Sequence, residues 1–165
     1  MHLEPKTVYL LLGSNLGDRR DVLNRAIERI GMEIGEVSAR SAFYETAAWG
    51  NEDQPSFLNI AVQIETGYNA HYVLERALQI EEELGRVRKD KWGARVIDID
   101  IILFGNEVID DGTRLQVPHP RMQDRRFVLV PLAEIAGGVY HPVLQQNIMS
   151  ILSSLKDDLA VSKIA

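Results

Sequence analysis

The chain has 165 residues, 45% hydrophobic and 25% charged, which suits a single globular domain (1–165) with a real core. It contains no cysteine, which excludes disulfides and thiolate metal sites, and its formal net charge of −6 gives a field that repels nucleic acid. The first long apolar run, "VYLLL", is too short to span a membrane and lacks the flanks of a leader, so a cytoplasmic chain with no nucleic-acid or membrane partner is expected.

"TVYLLL" (7–12) reads as a central strand, continuously apolar. "GSNLGD" (13–18) reads as a turn. It lacks the lysine and spacing of a phosphate loop, and Asp18 is placed to cap a helix. That helix carries Val22, Leu23, Ala26, Ile27 and Ile30 as its stripe, with Gly31 as the expected stop. Residues 36–46 read as one weakly alternating strand. In residues 57–66, Leu58, Ile60, Val62 and Ile64 share one face, and Phe57, Asn59, Ala61 and Gln63 the other. A helix from the Asn69 cap to Leu84 follows, with Val73, Ala77, Ile80 and Leu84 as its apolar stripe and Glu81 at the stripe's edge. A strand is expected over roughly 96–104, then a hairpin in "FGNEVIDDGTRLQV" and short helices near 127–136 and 143–155. The order β-α-β-β-α-β predicts an α+β fold with a ferredoxin-like core. Its helices cover one sheet face, and the C-terminal hairpin and short helices are available for the other, giving α/β/α layers.

The chemistry concentrates in "KWGARVIDIDIILFG" (91–105), where Asp98 and Asp100 interrupt an apolar strand. Alternation turns both carboxylates to one face, roughly 6–7 Å apart at their Cα atoms, while Ile97, Ile99 and Ile101 face away. Two buried, unpaired carboxylates would be costly, so salt bridges to nearby arginines or hard divalent cations are the two outcomes open to them. Mg²⁺ suits such a pair, with waters and phosphate oxygens as its remaining ligands. "RVRKDKWGAR" (86–95) supplies Arg86, Arg88, Lys89, Lys91 and Arg95, and a second basic group is Arg114, Arg121, Arg125 and Arg126 with His119 nearby. In an acidic chain, basic clusters beside a carboxylate pair point to bound phosphates. If helices cover Leu58, Ile60, Val62 and Ile64, then Phe57 and Asn59 share the open face with the aspartates, where a ring plus an amide suits either packing under the C-terminal segment or a flat heterocycle.

Together these residues resemble the 6-hydroxymethyl-7,8-dihydropterin pyrophosphokinase family of folate biosynthesis. "KWGARVIDIDII" is similar to its signature, and "LGSNLGD", "FYET", "DQPSFLN", "ELGRVR", "LFGNEVI", "VPHPRM" and "RRFVLVPLAEIA" resemble its segments in the same order, over about residues 7–155. The resemblance implies transfer of the β,γ-diphosphate of ATP to the pterin hydroxymethyl oxygen with release of AMP, and two Mg²⁺ ions; a monomer is expected because no apolar assembly surface is legible in the sequence. It implies Asp98 and Asp100 as metal ligands, and Arg86 and Arg95 as catalytic phosphate-binding groups. Glu81, Arg88, Trp92, Ile101, Arg114, His119 and Arg125 would contact ATP. Phe57 and Phe127 would sandwich the pterin, with Asn59, Thr46, Trp49 and Trp92 assisting. The chain departs from the family pattern at Ala47 and Trp49, and at Gln116 and Pro120 near the nucleotide.

Two rival readings differ in what they consume. A metal-dependent nucleotidyltransferase would release inorganic pyrophosphate rather than AMP. A non-catalytic ligand-binding module on the same fold would leave ATP intact.

Overall fold

The computed structural model describes residues 4–47, 55–85, 96–157 and 159–164. Its first strand, β1 (Lys6–Ser14), lies inside the main sheet, flanked on one side by β4 (Phe57–Thr66) and on the other by β5 (Asp98–Phe104). Gly13 and Ser14 stay in the strand, so the turn starts later than the sequence suggests. Both pairings are antiparallel, and the sheet runs β5-β1-β4-β3-β8. β5 is therefore an edge strand. The ferredoxin-like order is as expected.

The expected single strand at 36–46 is two, β2 (Glu36–Arg40) and β3 (Phe43–Thr46), and both pair with β4. The break falls at Ser41. Its backbone N–H donates to the Ala61 carbonyl, and its hydroxyl accepts from Ala61 N–H, both at 2.9 Å. A side chain thus replaces one rung of the ladder, and the backbone groups stay satisfied. A further strand, β8 (Val161–Ile164), extends the β3 edge and carries no legible signal in the sequence.

Helices α1 (Arg19–Glu33) and α2 (Ala70–Gly85) lie on one face of the sheet. Asp18 and Asn69 cap them through Asp21 N–H (3.1 Å) and Tyr72 N–H (2.9 Å). Leu23, Ile30, Val73 and Ile80 pack there on Leu10, Leu12, Ile60 and Ile64. Each such side chain contributes roughly 1.5–3 kcal/mol by leaving water. At the helix surfaces, Arg29 and Arg76 share Glu33, and Arg29 also pairs with Glu83, tying α1 to α2.

The second face is covered by α3 (Arg126–Ala136) and α4 (Ile148–Ser154), whose Val128, Leu129, Leu132 and Ile151 pack on Tyr9, Leu11, Ala61 and Ile102. α4 starts later than expected because His141 first forms a turn, its Nδ1 accepting from Val143 and Leu144 N–H, and Asn147 then caps the helix. A separate hairpin, β6 (Ile109–Asp111) with β7 (Leu115–Val117), sits beyond the β5 edge. Among the described residues, no helix is long and apolar enough to cross a membrane.

α1 runs past Gly31, the expected stop, for two more residues. The close approach comes at Gly35, where a Cβ would lie 2.3 Å from the Glu65 carbonyl oxygen; at Gly31 it would lie 3.7 Å from a Val37 methyl. The two glycines should therefore respond oppositely to alanine. Gly31→Ala should stabilise by up to about 1 kcal/mol through helix propensity, and Gly35→Ala should destabilise by about 1–3 kcal/mol because backbone must move. Urea denaturation midpoints of the two variants check this; equal shifts would refute it.

Candidate active site

Cross-strand register assembles the polar residues into one row. Tyr44 of β3 pairs with Asn59 of β4, Asn59 with Gly13 of β1, and Gly13 with Asp98 of β5. Paired residues in antiparallel strands point to the same face. Alternation adds Thr46, Phe57 and Asp100 to that face, at the end of the sheet that α3 and α4 leave partly open. The expected grouping of Phe57 and Asn59 with Asp98 and Asp100 is therefore present.

The carboxylates are less enclosed than the apolar run around them suggests. Asp98 is half-buried and Asp100 exposed, while Ile99 and Ile101 on the other face are buried. The strand is core, but the aspartates stand at its solvent side, which reduces the cost of their charge. Between them, the outward-facing N–H of Ile99 donates to Glu81 Oε2 at 2.6 Å. Glu81 thus lies beside the aspartates and holds the edge strand by its backbone. Asp98 and Asp100 offer hard oxygen donors on one face, and the described residues contain no group of three or more potential metal ligands. A donor set of two carboxylates fits Mg²⁺, which takes its remaining ligands from water and phosphate.

On the side of Phe57, Asn59 is buried, and its Nδ2 donates to the Leu12 carbonyl at 3.3 Å. Among the described residues, its buried Oδ1 has no partner, and neither has Thr46 Oγ1. Two orphaned polar atoms on one face beside a half-buried Phe57 suit a ligand that supplies the missing hydrogen bonds. Tyr44 donates to Glu134 Oε1 of α3 at 2.5 Å, and burial followed by this bond pushes its phenol up to about 12, so it stays protonated. Phe127, in the first turn of α3, packs on the same side of the sheet, with the Arg125 guanidinium 5.6 Å from its ring centre.

On the other side of Asp100 is a cavity of about 250 Å³ lined by Asp100, Ile101, Arg114, Gln116, His119 and Pro120. His119 N–H donates to the Ile102 carbonyl at 2.9 Å, which fixes this wall to β5. Its Nδ1 accepts from Arg121 N–H at 3.2 Å, so the neutral ring carries its proton on Nε2. Burial, then the Arg125 and Arg121 charges, hold the imidazole below its ordinary value. Arg114 is exposed, its Nη2 3.4 Å from Glu75.

Arg86, Arg88, Trp92, Arg95 and Trp49 lie outside the described residues. The described chain next to residues 48–54 is well anchored: Arg19 contacts Glu45 (2.8 Å) and the Ser56 carbonyl (3.0 Å), Ser56 donates to Glu45 (2.8 Å), and Asn15 Nδ2 reaches the Pro55 carbonyl (3.2 Å). The sequence reading missed Tyr44, Glu134 and Asn15. Alternation in "FYET" puts Tyr44 beside Thr46 and could have flagged it; Glu134 comes from a distant helix and has no local signal.

The family model described as 7,8-dihydro-6-hydroxymethylpterin-pyrophosphokinase matches residues 9–137. The chain is 52% identical over 130 residues to the 2-amino-4-hydroxy-6-hydroxymethyldihydropteridine pyrophosphokinase of Methylorubrum extorquens, covering 78% of this chain and 81% of that one. It is 49% identical over 132 residues to the protein of the same name from Bacillus subtilis, covering 79% and 78%. Among solved structures, wild-type HPPK-DHPS of Plasmodium falciparum is similar with a TM-score of 0.73 at 16% identity, over 91% of this chain and 44% of that chain. That likeness is one of fold, and this chain spans less than half of the longer polypeptide.

Two outcomes are expected from the site. The native His119 ring should titrate below about 6.5, the ordinary histidine value. Because the unfolded chain then takes up its proton first, His119 contributes to a loss of stability as pH falls below that value; an NMR midpoint at or above it would contradict this. Glu81→Ala should leave the edge N–H of Ile99 without its carboxylate, costing about 1–3 kcal/mol and speeding hydrogen exchange at that amide. Unchanged exchange would remove the clamp.

Proposed function

The chain belongs to the 7,8-dihydro-6-hydroxymethylpterin-pyrophosphokinase family, and on that premise we propose that its polar sheet face is where the diphosphate of ATP passes to the hydroxymethyl group of 6-hydroxymethyl-7,8-dihydropterin. The reaction releases AMP and belongs to folate biosynthesis. The observation that carries the site assignment is the row Asn59–Gly13–Asp98. It sets an amide suited to reading a heterocycle and a carboxylate suited to a metal on one face, two strands apart.

The roles divide along that row. Phe57 and Phe127 stack on the pterin, while Asn59 Oδ1 and Thr46 Oγ1 accept hydrogen bonds from its edge, and the family resemblance adds Trp49 and Trp92 as assisting residues. Ile101, Arg114 and His119 bind ATP at the cavity beside Asp100, with Glu81 holding the strand under it, and the family resemblance adds Arg88 and Arg125 as ATP contacts. Arg86 and Arg95 hold the charge that develops on the transferred group. Two Mg²⁺ ions held by Asp98 and Asp100 would supply neutralisation of phosphate charge and a lowered pKa at the attacking hydroxyl. No general base is required of the chain; positioning and electrostatics suffice. The protein acts as a cytoplasmic monomer and a single domain over residues 1–165, using only small-molecule substrates.

The test is product analysis with Mg-ATP and 6-hydroxymethyl-7,8-dihydropterin. AMP and a pterin diphosphate should form in equal amounts and disappear with a chelator. Inorganic pyrophosphate would point to a nucleotidyltransferase, and a folded protein that leaves ATP intact would point to a binding module. Asp98→Ala and Asp100→Ala should each lower turnover by about 10²–10³-fold or more while the far-UV spectrum is kept. Near-normal turnover in either would remove that carboxylate from the metal assignment.

A further inference from the structure

Gly13 stands between the two halves of the site, paired with Asn59 on one side and Asp98 on the other. Its side of the sheet is occupied by the Asn59 amide. A Cβ built on Gly13 would lie 2.5 Å from Asn59 Nδ2, whereas the next atoms it meets are 3.7 Å or more away. That amide donates to the carbonyl of Leu12, the residue preceding Gly13, at 3.3 Å. The amide therefore reaches across the glycine to a backbone oxygen of β1. With Nδ2 engaged in this way, Oδ1 is the atom left over, buried and without a partner.

Resting on the site reading above, we infer that Gly13 is a positioning residue for the pterin. Its missing side chain lets Asn59 lie across β1, engages Nδ2 with the backbone, and leaves Oδ1 as an acceptor for a ring N–H or amino group. The specificity consequence is directional. Oδ1 can only accept, and Leu12 holds one of the two Nδ2 hydrogens in place, so a heterocycle presenting an acceptor opposite Oδ1 faces an unpaired buried oxygen.

The geometry makes the inference separable from folding. The backbone of Gly13 does not have positive φ, since the glycines with positive φ are Gly17, Gly105 and Gly112 among the described residues. Alanine is therefore compatible with its conformation and a better strand former than glycine. Among the described residues the only close atom is the tip of a side chain, so Asn59 gives way rather than the sheet.

Gly13→Ala should keep or raise the denaturation midpoint, leave the KM for ATP within about twofold, and raise the KM for the dihydropterin about tenfold or more, as expected when a buried hydrogen bond is lost. The side-chain amide resonances of Asn59 should shift in its NMR spectrum. In an Asn59→Ala background, Gly13→Ala should add no further pterin defect. An unaltered pterin KM, an unfolded variant, equal losses for both substrates, or full additivity with Asn59→Ala would each overturn the inference. A wild type that forms no pterin-dependent AMP would overturn the site reading and this inference with it. A working wild type with an unaltered Gly13→Ala sinks the inference alone.

Discussion

The antiparallel register of β4, β1 and β5 is the constraint from which the rest follows. Side chains alternate with a period of two, so one choice of pairing decides which face every residue on three strands occupies. The observed pairing sends Leu10, Leu12, Ile60 and Ile99 under α1 and α2. It sends Gly13, Asn59 and Asp98 to the face that α3 and α4 cover only in part. A slip of one residue in either pairing would bury carboxylates and expose isoleucines, so hydrophobic burial fixes the site as firmly as it fixes the core.

β5 then breaks its own alternation. Leu10 pairs with Ile101 and Tyr9 with Leu103, leaving Ile102 as an extra residue. This bulge places both Ile102 and Leu103 against α3 and α4, and returns Phe104 to the α1 and α2 side. One strand can in this way present acids at its open end and a full apolar cover at its closed end. Glu81 from α2 holds the edge at the point between the two aspartates, so the backbone N–H of Ile99 connects the helix layer to the polar face.

Hydrogen bonding separates scaffold from site. Where the sheet is interrupted at Ser41, a hydroxyl takes over the missing rung and both backbone groups of Ala61 keep a partner. At Asn59 and Thr46 the reverse holds, and buried oxygens on the polar face have no partner among the described residues. A fold that satisfies its polar groups at an awkward break, yet leaves them open here, places the cost where a ligand can remove it. The fold tolerates wide variation around this plan, since it is shared with a Plasmodium falciparum chain at 16% identity.

Much was legible in the sequence because it is encoded locally. The alternation in "FLNIAVQIET", the helix stripes with their Asp18 and Asn69 caps, and the paired aspartates all report on neighbours within a few residues, where the period of the element decides direction. The resemblance to the pterin pyrophosphokinases was equally readable, since long motifs such as "KWGARVIDIDII" are contiguous. What the sequence misread or missed depended on partners far along the chain. α1 passes Gly31 because helix packing outweighs a propensity penalty of about 1 kcal/mol, and the tight approach falls instead at Gly35 against β4. The break at Ser41, the β8 edge strand, the pairing of Tyr44 with Glu134, and the passage of the Asn59 amide over Gly13 exist only once strands and helices distant in sequence meet. Local chemistry chose the elements and their faces; the tertiary structure alone decided which polar atoms remained unpaired, because pairing is settled by contacts that no short window of sequence contains.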